Sequence, residues 1–145
     1  MLDPALAHVR TMWDQDGASR HLGIELLEVS YDAHDRLGRA RTRMPVTDTM
    51  VNGHQITHGG YIFTFADSTF ALACNAGGEL TVAAGCDIDF VRSAALGDVL
   101  LAEGVERARY GRNGITDVTV TRESDGELIA HFRGRSRALK PRPSA

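Results

Sequence analysis

A chain of 145 residues with 43% hydrophobic and 24% charged residues fits one compact domain and argues against a disordered polymer. Its formal net charge of −3, with no block of lysine or arginine, gives no footing for nucleic-acid binding. Two cysteines, Cys74 and Cys86, both in apolar surroundings, make neither a disulfide framework nor a zinc spacing and read as reduced core residues of a cytoplasmic protein.

The N-terminal run MLDPALAHVRTMWDQDG carries acids and lacks a long apolar core, so it does not read as a signal peptide. A helix is expected over residues 3–16, with Pro4 in its first turn after Asp3 and Leu6, Val9 and Trp13 on one face. HLGIELLEVSYD alternates as a strand, with Leu22, Ile24 and Leu26 on one side. LGRARTRMP reads as a second strand, in which Arg39, Arg41 and Arg43 alternate with small or apolar residues and Pro45 ends the run. Residues 46–58 form a polar loop punctuated by Asn52-Gly53. Gly59 and Gly60 then open a central helix over about 59–76, which the αL-permissive run Asn75 to Gly78 stops. This helix is apolar on nearly every face and should be enclosed. A membrane span needs about 20 apolar residues, more than the run YIFTFADSTFALACNA provides, and that run contains Asp67.

Four strands follow. TVAAGCDIDFVR places Cys86, Ile88 and Phe90 on one side, and GDVLLAEGVERARY begins after the Gly97-Asp98 turn. GITDVTVTRE is rich in β-branched residues, and the Asp125-Gly126 turn leads to ELIAHFRGRSRAL. There Leu128, Ala130, Phe132 and Gly134 share one face and Arg133, Arg135 and Arg137 the other, before a polar tail over 140–145. The expectation is one domain over 1–145 of α+β class: a curved antiparallel sheet of about five to six strands wrapped around one long central helix. The second face of such a sheet needs cover, which predicts pairing with another subunit.

Chemistry concentrates at Asn52-Gly53, His58-Gly59-Gly60, Phe63 and Asp67. Asp67 shares its helix face with Phe63, Phe70, Ala71 and Cys74. A carboxylate there is costly unless partnered. It is either a hydrogen-bonded internal residue or a general base whose pKa desolvation raises. Gly59 and Gly60 leave the first N–H groups of the helix open at its positive dipole end, a place for a developing oxyanion or simply a flexible joint. Asp67 lies eight residues, about 12 Å, along the axis from Gly59. One helix therefore cannot easily bring both groups to one substrate, whereas two antiparallel copies across a twofold axis can. His58 is a base or a positioning residue, and Asn52 binds a carbonyl or water or merely makes a turn. Arg92, Arg109, Arg112, Arg133, Arg135 and Arg137 are a solvated face or, in part, contacts for the phosphates of coenzyme A. No nucleophile elbow, P-loop, dinucleotide fingerprint or metal spacing is present.

The segment HGGYIFTFADSTFALACNAGG resembles the PaaI-type hotdog thioesterases of phenylacetic acid degradation. The resemblance extends to Asn52-Gly53, GCDIDFVRSA, ARYGRNGITDVTV and ELIAHFRGRSRAL, covering about residues 20–139. It implies a hotdog fold paired as a double-hotdog dimer, often within a homotetramer. It implies hydrolysis of phenylacetyl-CoA or ring-hydroxylated relatives with no metal and no cofactor beyond the substrate's own coenzyme A. By position, Asp67 would be base or nucleophile, Gly59 the oxyanion N–H donor with Gly60 beside it, and Asn52 and His58 would orient thioester and loop. Phe63, Arg92, Arg109, Arg112 and Arg135 are the expected acyl-CoA contacts. Ala83-Ala84-Gly85 and Ala71 stand where some relatives carry a hydroxyl, so no side-chain hydroxyl is expected from them to hold water; Ser93 stands where the family commonly has proline. The competing expectations are a hotdog enoyl-thioester hydratase or dehydratase, with His58 and Asp67 as partners, and a non-catalytic acyl-CoA-binding dimer.

Overall fold

The computed structural model describes residues 4–140; Asp3 and the tail residues 141–145 lie outside them. Two short helices, α1 (Pro4–Asp14) and α2 (Gly17–His21), precede strands β1 (Glu25–Asp32) and β2 (Leu37–Pro45). The long helix α3 (Gly59–Asn75) follows, then β3 (Thr81–Phe90), β4 (Val99–Tyr110), β5 (Asn113–Arg122) and β6 (Leu128–Ala138). The helix expected over 3–16 is α1, which ends at Asp14, and α2 is a second helix that the sequence reading did not expect. The Asp16 carboxylate accepts hydrogen bonds from Ser19 N (2.9 Å) and Ser19 Oγ (2.6 Å) and so starts a new helix instead of continuing the old one.

All six strands join one antiparallel sheet in the order β1-β2-β4-β5-β6-β3. Consecutive strands β3 and β4 are not neighbours: β3 pairs with β6 at the edge, while β4 lies between β2 and β5. The connection between them is held by Val91 N on Ile129 O (2.8 Å), and by Thr57 N on Ala94 O (2.8 Å) and Leu96 N on Gln55 O (3.1 Å) from the loop before α3.

The sheet curves around α3, which touches all six strands. Ile62, Phe65, Ala66, Phe70 and Cys74 of the helix are buried against Met44, Leu100, Val118, Val120, Ile129 and Phe132, while Leu72 and Ala73 pack with Val9 and Ala40. Each large aliphatic or aromatic side chain in this core contributes roughly 1.5–3 kcal/mol. The helix can lie this deep because the strands beneath it carry glycine. A Cβ on Gly38 would sit 1.9 Å from the Ala73 carbonyl oxygen, on Gly134 2.6 Å from the Phe70 ring, and on Gly104 3.2 Å from Thr69 Cγ2.

The far end of α3 is fixed by polar groups. Asn75 is the last helical residue, and the left-handed stop within the expected run Asn75 to Gly78 falls at Gly78 (φ +92°). Its amide donates to Ala71 O (2.8 Å) and Thr81 O (3.0 Å), and its Oδ1 accepts from Thr81 N (2.9 Å) and lies 3.0 Å from His8 Nε2. Arg109 donates to Cys74 O (2.6 Å) and to the buried Glu106 carboxylate (3.0 Å), which also accepts from Gly38 N (3.1 Å). Asn75→Ala leaves the buried Thr81 amide and carbonyl without these partners. It should cost about 2–4 kcal/mol in urea unfolding, well above a surface substitution.

Candidate active site

Asp67 sits midway along α3 and is half-buried. No hydrogen bond or ion pair to its carboxylate occurs among the described residues. Burial, and secondarily the negative charge of Asp16, push this carboxyl above the ordinary range. Cys86 on β3 feels Asp67 in turn: burial first and Asp67 second raise its thiol. Burial carries the Cys74 thiol up to about 12, with Glu106 the next cause and Asp67 a minor one. Both cysteines are free thiols.

His58 is the N-cap of α3, in extended conformation (φ −62°, ψ 136°), but its exposed side chain caps nothing. The chain enters the helix through His58 N donating to Met50 O (2.8 Å). The Gly59 and Gly60 N–H groups have no acceptor among the described residues. The two glycines differ in their surroundings. Gly60 has open space where a Cβ would be, whereas a Cβ on Gly59 would meet the Phe90 ring at 2.7 Å. Phe90 therefore lies over the helix start while remaining 53% exposed, whereas Cys86 and Ile88 on the same side of the strand are partly buried. Asn52 shapes the approach loop, its Oδ1 accepting from His54 N (2.9 Å) and Ile56 N (3.1 Å). Phe63 is partly buried and packs edge-on against Phe132, ring centroids 5.4 Å apart.

The structure gathers Asn52, His58, Gly59, Gly60 and, just beyond Phe90, Arg92 at one end of α3. Arg92 pairs with Glu127 (2.9 Å). Arg109 and Arg112 stand at the opposite end of the helix, about 25 Å away for 17 residues. Arg109 is turned inward to Glu106 and Cys74 O. Arg112 is exposed beside Leu80, Leu139 and Lys140 in an open hollow. Arg135 pairs with Asp87 across β3 and β6 (2.9 Å). Sequence reading missed Asp16, whose signal was the capping pattern Asp16-Gly17 followed by Ser19. Among the described residues no group of three or more His, Cys, Asp or Glu could hold a metal ion, and no helix is long and apolar enough to cross a membrane.

A single long helix enclosed by six antiparallel strands is the hotdog architecture, here with a lone carboxylate midway along the helix and bare amides at its start. The Thioesterase superfamily model matches residues 54–129, and the chain belongs to that superfamily. It is 34% identical to Acyl-coenzyme A thioesterase PaaI of Escherichia coli over 139 residues, 96% of this chain and 94% of that one. The solved E. coli PaaI protein, from the phenylacetic acid degradation operon, matches with a TM-score of 0.86 over 94% of each chain. A mutant of the phenylacetic acid degradation protein PaaI from Thermus thermophilus matches at 0.77, with 31% identity, over 86% of this chain and 100% of that one. A Streptococcus mutans protein solved bound to acetyl CoA matches at 0.72, with 26% identity, over 83% of this chain and 91% of that one.

Proposed function

We propose that this chain hydrolyses phenylacetyl-CoA or ring-hydroxylated and related small aryl-CoA thioesters to the free acid and coenzyme A. It does so as a cytoplasmic homodimer with shared active sites, paired further into a homotetramer, and it needs no cofactor beyond the substrate's own coenzyme A. The observation that carries this reading is the half-buried, unpaired Asp67 carboxylate on the enclosed helix. The substrate class is supported by the E. coli relative's name and by the acetyl CoA in the S. mutans structure. Pairing is supported by β3, an edge strand whose Val82 and Phe90, with Val91 just past its end, stay exposed.

In this mechanism the thioester oxygen meets the Gly59 N–H of one subunit, with Asn52 and His58 shaping the loop beside it. Phe63 borders the acyl group, and Arg92, Arg109, Arg112 and Arg135 are the candidate contacts for the coenzyme A phosphates. Asp67 of the other subunit removes a proton from water as the hydroxide adds to the thioester carbon. The negative charge formed on oxygen rests on the Gly59 amide, with Gly60 next to it. Collapse breaks the C–S bond, and the proton held by Asp67 passes to the departing thiolate. A raised carboxyl pKa suits a base that must be ionised yet strong near neutral pH.

Thiol release over a panel of aryl and short aliphatic CoA esters tests the assignment. Hydration of an enoyl thioester without thiol release would make the chain a hydratase, and tight binding of CoA esters without either reaction would make it a carrier. An acyl adduct on Asp67 trapped in a single turnover would make that residue a nucleophile. Sharing of the site has its own test. Gly59→Pro removes one N–H, at a first-turn position that tolerates proline and after a residue already extended, with the exposed Phe90 ring swinging aside to admit the new side chain. Co-assembled Asp67→Asn and Gly59→Pro subunits should recover about a quarter of wild-type turnover, since half the dimers hold one intact site. No recovery would place each site within one chain.

A further inference from the structure

We propose that Asp16 is a second acidic residue of this site, tethered to the helix of Asp67 through Ser19 and Ser68, and that it acts on Asp67 as a positioning charge. The inference rests on the reading of Asp67 as the general base. A continuous chain of hydrogen bonds makes the tether. Ser19 Oγ lies 2.6 Å from Asp16 Oδ2 and 2.8 Å from Ser68 Oγ, and Ser68 directly follows Asp67. Ser19 is 1% exposed, so the link is shielded from competing water. The second carboxylate oxygen of Asp16 accepts from Ser19 N at 2.9 Å, which fixes the group from both sides.

No cation neutralises Asp16 among the described residues. Arg20 lines the same hollow, with Trp13, Asp14 and Ile24, but donates to the Asp14 carbonyl instead. The titratable groups coupled to Asp67 are Asp16 from the α1–α2 turn, Cys86 from β3 and Cys74 from its own helix. Among the described residues, the charge that raises the Asp67 carboxyl after burial is that of Asp16. Capping α2 does not require a charge, because asparagine or serine serves as well at that position. The negative charge of Asp16 is thus free for another role. Linked to the helix of Asp67 through Ser19 and Ser68, this charge disfavours ionisation of Asp67, which then binds a proton at higher pH and is the stronger base when ionised.

The experiment compares pH profiles of kcat/KM for thiol release from phenylacetyl-CoA. Asp16→Asn and Asp16→Ser, both able to cap α2, should move the acid limb to lower pH, with thermal melting at neutral pH close to wild type. Ser19→Ala, which cuts the tether but keeps the charge, should move it less. An acid limb unmoved in both Asp16 variants overturns the inference while leaving the general-base reading intact. Full turnover in Asp67→Asn removes that reading itself. Should the Asp16 variants lose the fold, 13C titration of carboxyl groups in the intact protein decides. Mirrored steps in Asp16 and Asp67 support the coupling, and two independent single steps refute it.

Discussion

Asp67→Asn should lower kcat/KM for aryl-CoA hydrolysis by roughly 10²–10⁴-fold with the fold intact, the range of a lost general base. Steady-state thiol release with circular dichroism as a fold control checks this; turnover within a few-fold of wild type would refute the role. The same substitution has a signature in stability. The folded protein holds the Asp67 proton to higher pH than the ordinary value of 3.8. Between that value and its raised folded value the native state binds more protons than the unfolded chain, so this group makes stability fall as pH rises. At neutral pH the ionised carboxylate is then a net cost, which the neutral amide avoids. Asp67→Asn should melt higher than wild type at pH 7, and the gain should vanish below about pH 3.8, where wild-type Asp67 is protonated in both states. A variant both slower and more stable is the mark of a group held in place for chemistry rather than for folding.

Gly38→Ala should damage the fold severely. Its methyl group would stand 1.9 Å from the Ala73 carbonyl oxygen and 2.9 Å from the Ala76 side chain. The first obstacle is backbone, so no side-chain rotation relieves it, and either β2 or the last turn of α3 must shift. That shift would also disturb the Gly38 N–H bond to Glu106. Overpacking of this kind costs about 3 kcal/mol at the upper end of the usual range. For a chain of this size that lowers Tm by about 10 °C. Gly53→Ala, with nothing within 4 Å of the new methyl, is the control and should leave Tm nearly unchanged. Equal melting of the two variants would mean that the helix does not rest on β2 as closely as described.

Much of this architecture was readable because the physical cost of each element is local. The enclosed helix announced itself by an apolar run bracketed by glycine pairs, and the six strands by alternation between turn residues. Sheet order was not readable, since an apolar face does not say which neighbour covers its edge; β3 crosses to β6 only through contacts made in the folded chain. Asp67 stood out because an ionised group in a greasy helix is expensive wherever that helix goes. Asp16 did not, because its connection runs through Ser19 and Ser68, which are 49 positions apart. The inward pairing of Arg109 with Glu106 escaped for another reason. Strict alternation puts Glu106 and Arg109, three residues apart, on opposite faces of β4, but the register shift between Glu106 and Ala108 turns both to one side. A bulge leaves no clear trace in the pattern of apolar residues.

The glycines beneath α3 set an elevation. Gly38, Gly104 and Gly134 leave a trough in the sheet, and the helix sinks until its own backbone and the Phe70 ring touch bottom. Asp67 rides on that same cylinder, so its height above the strands is gauged by the thickness of three absent side chains. Filling any one of them would raise or tilt the whole rod and carry the carboxylate with it. The proposed base would then be displaced from positions that never approach a substrate.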